Sequence, residues 1–137
     1  MVCSLPEAVW FGTNVQNLTS RSITFAEARL GQAEGAALID TIPEIIDADG
    51  DYLLLGSARD LATDVPELWA VRQPVAGFVL QPGQNASIGF QFARASGADV
   101  ADVTSQDITY RVDGELFDRT TTSRLRMVIA SDCDAIE

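Results

Sequence analysis

Residues 108–130 read ITYRVDGELFDRTTTSRLRMVIA, and the period of this stretch decides the fold class. Ile108, Tyr110 and Val112 alternate with Thr109 and Arg111. Asp113-Gly114 then makes a turn, and Leu125, Met127 and Ile129 alternate with Arg124 and Arg126. A two-residue period sorts side chains onto the two faces of a strand, whereas a helix repeats its apolar residues every three or four. The stretch is therefore a β-hairpin within a sheet. If Asp113-Gly114 is a two-residue turn, Phe117 faces Tyr110 across the hairpin.

The same grammar extends outward. Val9, Phe11, Thr13 and Val15 alternate with Ala8, Trp10 and Asn14 and predict a first strand; residues 17–22 form a polar break. Ile23 and Phe25 open a second strand whose apolar phase then shifts to Ala28 and Leu30, which a β-bulge explains. A helix starting at Thr24 is the alternative, since Thr24 and Glu27 have capping-box spacing. Residues 36–42 are a third strand, ended by Pro43. Ile45 and Ile46 precede an acidic turn over 47–51, and residues 52–55 make a short strand. Residues 60–69 read as a loop with one helical turn, with Asp64, Pro66 and Glu67 in capping positions. Residues 75–80 are a strand stopped by Gln81-Pro82-Gly83. Ile88, Phe90 and Phe92 stripe one face of another, and residues 95–106 are a soft segment before the final hairpin.

Seven to nine short strands at roughly ten-residue spacing predict a single all-β domain over residues 1–137, an antiparallel β-sandwich. Ile88, Phe90, Phe92, Tyr110, Leu125, Met127 and Ile129 are its predicted core. Leu80-Gln-Pro-Gly83, then Ser87-Ile-Gly-Phe-Gln-Phe92, then Ile108-Thr-Tyr-Arg-Val112 and a closing strand resemble bacterial immunoglobulin-like β-sandwich domains. The likeness covers about the last 60 residues and is one of pattern; the inter-sheet cysteine pair and central Trp of antibody domains are absent. It implies an interaction or structural domain and carries over no functional residue. A jelly-roll variant is the alternative topology.

Charge and missing residue types exclude much. The 137 residues carry 20 Asp and Glu against nine basic residues, all Arg, for a net charge of −11, and there is no His. Such a field repels phosphate backbones and anionic membranes. Without His there is no serine–histidine or cysteine–histidine dyad. Without Lys there is no Schiff base and no Walker A loop. No Cys-x-x-Cys is present, which disfavours zinc and iron–sulfur sites. Carboxylate chemistry of the glycosidase kind is the one enzymatic option left, a distant one. No apolar run is long enough to span a bilayer. No signal-like segment opens the chain, so it is expected to be either cytoplasmic or a chain whose signal has been removed.

Four groups of residues stand out. Asp47, Asp49 and Asp51 resemble the first half of a calcium loop, but Tyr52 and Ala58 stand where an EF-hand needs Gly and Glu. An acidic turn is the plainer reading, since Asp and Gly are default turn residues. Asp132, Asp134 and Glu137 form a second acidic cluster. Cys3 and Cys133 make an even pair outside the strand patterns, expected to be bridged in an oxidising compartment. In an immunoglobulin-like sandwich the first strand often runs parallel to the last, so such a bridge requires either first and last strands that run antiparallel, as in jelly-roll variants, or a tail that folds back. Trp10 and Trp69 are either packed or exposed as a sugar-stacking platform, packing being commoner. Asn17-Leu-Thr19 and Asn85-Ala-Ser87 match the N-glycosylation acceptor.

The expected function is a non-catalytic structural or protein-interaction module, extracytoplasmic or part of a surface assembly. Its partner is a protein or a second copy, with no nucleic acid, no membrane insertion and no cofactor. A carbohydrate- or calcium-binding module is the alternative.

Overall fold

Strands form where the two-residue alternation falls. The computed structural model describes residues 3–4, 8–46, 57–58, 69–70 and 72–130. Within them lie β1 (Cys3–Ser4), β2 (Ala8–Gln16), β3 (Ile23–Leu30), β4 (Ala33–Glu34), β5 (Ala36–Ile46) and β6 (Ser57–Ala58). The second half holds β7 (Val79–Leu80), β8 (Asn85–Arg94), β9 (Val100–Val103), β10 (Gln106–Val112), β11 (Arg119–Ser123) and β12 (Met127–Ala130). The protein is all-β and consistent with a β-sandwich. Three four-stranded sheets have the orders β1-β12-β9-β4, β11-β10-β3-β7 and β5-β8-β2-β6. All pairings are antiparallel except β1 with β12.

Among the described residues twelve strands stand against the expected seven to nine, partly because three strands are each broken by a bend. β3 runs into β4 through residues 31–32, β9 into β10 through 104–105, and β11 into β12 through 124–126. Because β10 pairs β3 and β11 while β9 pairs β4 and β12, two of the sheets are one three-stranded ribbon turned at a corner. Strands that switch sheets this way make the corners of β-sandwiches. The corner is stapled: Gly31 N–H donates to the Ser105 carbonyl (2.8 Å), Gln32 N–H to Ser105 Oγ (2.6 Å) and Thr104 N–H to the Gln32 carbonyl (2.8 Å).

Gln106 closes the third bend. Fully buried, its amide Nε2 donates to the Leu125 carbonyl (2.7 Å), and Leu125 N–H donates to Gln106 Oε1 (3.3 Å). The side chain thus substitutes for the ladder that the bend interrupts. Gln106→Leu keeps the volume but strands both Leu125 backbone groups. It is expected to lower stability by about 2 kcal/mol, measured by urea unfolding; an unchanged midpoint would refute this role. Gly35, at φ +63°, turns the chain from β4 into β5, and a Cβ there would overlap the Val100 carbonyl oxygen.

One core cluster draws on all three sheets: Val9, Phe11, Ile88, Phe90 and Phe92 from β2 and β8; Ile23, Phe25 and Ile108 from β3 and β10; Val103, Met127 and Ile129 from β9 and β12. The phase shift in β3 is a β-bulge: Thr109 pairs Glu27 but Tyr110 pairs Phe25, leaving Ala26 unpaired. That bulge keeps Ile23, Phe25 and Ala28 all inside.

Several expectations are corrected. Leu125 is 37% exposed, because it sits in the bend whose core side Gln106 fills. Tyr110 is only partly buried, packed against the core cluster. Phe117 does not face Tyr110; Arg119 does. Gly114 alone has positive φ (+86°), and Glu115 N–H bonds the Val112 carbonyl (3.0 Å). That is a type II turn, which splays the strands where a two-residue hairpin turn would hold them in register. Pro43 does not end its strand: β5 continues to Ile46, tolerating Pro because it is an edge strand. The strand expected over 75–80 shrinks to β7, and the soft segment 95–106 contains β9. The strand expected over 52–55 and most of the loop 60–69 lie outside the described residues.

Candidate interaction surface

Three connections meet at one end of the sandwich: residues 17–22 between β2 and β3, 81–84 between β7 and β8, and 113–118 between β10 and β11. Asn17 organises the first two. Its buried amide Nδ2 donates to the carbonyls of Arg21 (2.8 Å) and Leu80 (2.9 Å). Its Oδ1 accepts from Thr19 N–H (3.0 Å) and the Thr19 hydroxyl (2.7 Å). Its backbone N–H bonds the Gln84 carbonyl and its carbonyl takes the Gly83 N–H. The third connection docks on the first through Asp113 N–H to the Ser22 carbonyl (2.9 Å) and Arg21 Nη1 to the Asp113 carbonyl (3.1 Å).

From this braced end project Leu18 (82% exposed), Leu116 (82%) and Phe117 (80%). The hairpin tip that carries the last two is held on both sides. Arg111 Nε donates to Asp118 Oδ1 at 2.8 Å, and Arg119 Nε to Glu115 Oε1 at 2.9 Å with a second contact from Arg119 Nη2 to Glu115 Oε2. The bond from Glu115 and its charge raise the Arg119 guanidinium above its ordinary pKa. Exposed single hydrophobics are normal, but three large ones, each at least 80% exposed on two connections bonded to each other, are the composition of a contact site.

A second feature is polar. A groove of about 550 Å³ lies at the sheet corner, lined by Gln32, Thr104, Ser105, Asp107, Thr122 and Arg124. The Thr122 hydroxyl donates to Asp107 Oδ1 (2.7 Å). Arg126 forks onto Asp102 at 2.8 and 3.1 Å, and that bond holds its guanidinium above the ordinary pKa.

The residues singled out from sequence fall unevenly. Asp47, Asp49 and Asp51, and Asp132, Asp134 and Glu137, lie outside the described residues, among which no cluster of three metal-binding side chains occurs. Cys133 also lies outside. Cys3 is in register with Val128 of the parallel β12. Five extended residues span about 17 Å, so a bridge to Cys133 requires the chain to reverse after Ala130. Trp10 is 1% exposed, although the alternation sets it opposite Val9 and Phe11, because both faces of β2 are covered here. Trp69 meets Trp10 at 6.2 Å in a T-shaped contact, and Arg72 lies 4.0 Å over its ring. The pair is packed, as expected, and forms no open sugar platform. At Asn17 both amide hydrogens are used internally, so this acceptor motif acts as a loop clamp.

The sequence reading missed Leu18 and Gln106. Leu18 sits inside the polar break 17–22, where an isolated apolar residue was the available signal. Gln106 carried none, since nothing local distinguishes a buried amide from an exposed one.

Comparison with protein-family models, with characterised proteins and with solved structures yields no match to this chain. The surface is therefore interpreted from its own chemistry.

Proposed function

We propose that this protein is a non-catalytic protein-interaction or structural module that makes contact through the loop end bearing Leu18, Leu116 and Phe117. The observation that carries this reading is their exposure on loops that are themselves fixed by hydrogen bonds. Rigid aromatic and aliphatic anchors lose little entropy on docking, and such residues dominate binding energy at interfaces. Around the anchors Asp118 is paired with Arg111 and Glu115 with Arg119, so the complementary partner carries an apolar pocket with a polar rim. The absence of His and Lys removes the imidazole and amine routes to covalent and proton-transfer chemistry. Among the described residues no helix is long and apolar enough to cross a membrane.

The test compares wild type with a Leu18→Ser, Leu116→Ser, Phe117→Ser variant as affinity bait in extract of the source cells, followed by calorimetry on each purified pair. The variant is expected to keep its unfolding free energy within about 0.5 kcal/mol of wild type, as exposed substitutions do. It is expected to lose its partner by 100-fold or more, the equivalent of about 3 kcal/mol at a hot spot. Identical retention by both baits would sink the reading.

Placement outside a reducing cytosol belongs to the same proposal and rests on the Cys3 and Cys133 pair. The intact mass of the isolated monomer is expected to rise by two hydrogens on reduction; no change would remove the argument. A second reading, supported by the corner groove, is a neutral saccharide bound among Gln32, Thr104, Asp107 and Arg124. A panel of sugars that leaves the Tm unmoved excludes it.

A further inference from the structure

We propose that the chain forms an antiparallel dimer in which β11 pairs with β11 of a second copy about a two-fold axis through Thr121. A sheet edge exposes unpaired N–H and C=O groups, and proteins that stay monomeric block their long edges. This protein does so selectively. Among the described residues the edge strands β1, β4, β6 and β7 have only two residues each. The long edge strand β5 carries three blocks: a register break at Ile39, Pro43, and Asp40, whose Oδ1 accepts the Thr41 N–H at 2.8 Å. The other long edge, β11, has none. Its sequence is Arg-Thr-Thr-Thr-Ser, its register with β10 is unbroken from Gln106↔Ser123 to Tyr110↔Arg119, and Arg119 to Thr122 are exposed. Three consecutive β-branched residues favour an extended, pairing-ready backbone.

Charge selects the occupant. Residues 106–126 hold four acids (Asp107, Asp113, Glu115, Asp118) and four Arg (Arg111, Arg119, Arg124, Arg126), a local balance of zero in a chain of net charge −11. The only charged residue on β11, Arg119, is already bonded to Glu115. A second copy that approaches along this segment therefore meets no net charge from it. The register about Thr121 is self-complementary: Arg119 opposes Ser123, Thr120 opposes Thr122, and Thr121 meets its own mate, with no like charges opposed. Threonine pairs across strands are favourable, as Thr109 and Thr120 already show at 3.2 Å within one chain. This dimer rests on the interaction-module reading, but the β11 variants leave Leu18, Leu116 and Phe117 in place, so the two failures are distinguishable.

The experiment is sedimentation equilibrium of the full chain from about 1 to 500 μM, around a Kd of roughly 10 μM for a small strand-edge interface. Wild type is expected to rise from 14.7 kDa toward twice that mass, and to dimerise more tightly as NaCl goes from about 0.05 to 0.5 M, because salt screens the net repulsion. Thr120→Lys/Thr122→Lys and Thr120→Glu/Thr122→Glu are each expected to weaken the dimer about tenfold by opposing like charges, and their equimolar mixture to recover it as a heterodimer. Thr121→Cys provides a measurement that does not depend on those variants folding. It is expected to form a covalent dimer on mild oxidation beyond any given by wild type, since the paired Cα atoms lie within about 7 Å. A wild type that stays monomeric to the top concentration overturns the proposal. So does dimerisation unaffected by the Lys pair, a mixture that fails to associate, or a Thr121→Cys protein that cross-links no more than wild type. Identical retention of a partner by the wild type and the loop-end variant, with the dimer intact, strikes the functional proposal alone.

Discussion

Phe90→Ala is expected to lower the unfolding free energy by about 4 kcal/mol and the Tm by roughly 10–15 °C. Phe90 is fully buried in β8, which lies between β5 and β2 in its sheet. Its ring stacks on Phe11 at 5.4 Å with 17° between planes, and Phe11 meets Phe92 edge-on at 5.5 Å. Truncation removes the transfer free energy of the ring and leaves a void that strands hydrogen-bonded on both sides cannot close. Phe117→Ala is the control, since Phe117 is 80% exposed and is expected to change stability by less than about 0.5 kcal/mol. Urea unfolding of both variants checks the assignment; equal losses would mean that the core does not lie where these strands put it.

Asn17→Ala is expected to remove about 3 kcal/mol. The substitution orphans the Leu80 carbonyl and the Thr19 N–H at one stroke and leaves the Arg21 carbonyl with the Thr19 hydroxyl alone. The bond to the Leu80 carbonyl is buried, so water replaces it poorly. The same loss leaves the 17–22 and 81–84 connections joined by the two backbone bonds of Asn17 without the support of its amide, so amide exchange is expected to accelerate at Thr19 and Gly83 well before global unfolding. Retention of full protection there would show that the loops hold together without the Asn17 amide. The consequence reaches function as well. Leu18 is held outward by this clamp, and loosening it raises the entropic cost of docking at the loop end.

Much of the fold was legible because a period of two is a local property. The bulge in β3 is an example: the slip from Phe25 to Ala28 is visible in the string and is the register slip observed against Tyr110. The hairpin was legible in kind but not in register, since Asp113-Gly114 is compatible with several turn types and its choice of type II depends on docking against Ser22 and Arg21. Pro43 shows the converse limit. Proline forbids a central strand but not an edge, and whether β5 is an edge is decided by which strands pair across the sheet.

The candidate site was less legible still. Leu116 and Phe117 look like ordinary members of a β pattern until the turn geometry turns them outward. Trp10 looks exposed by alternation until the far face of β2 is covered and Trp69 packs against it.

The order of residues along the chain determined the all-β class, the acidic field, and the lack of imidazole and lysine chemistry, because these are properties of neighbours in sequence and of composition. Tertiary structure alone decided where strands bend at the corner, that Gln106 and Asn17 are buried, and which edges stay open. Those depend on long-range pairing and burial, which place groups far apart in the chain within hydrogen-bonding distance, and no local pattern encodes that distance.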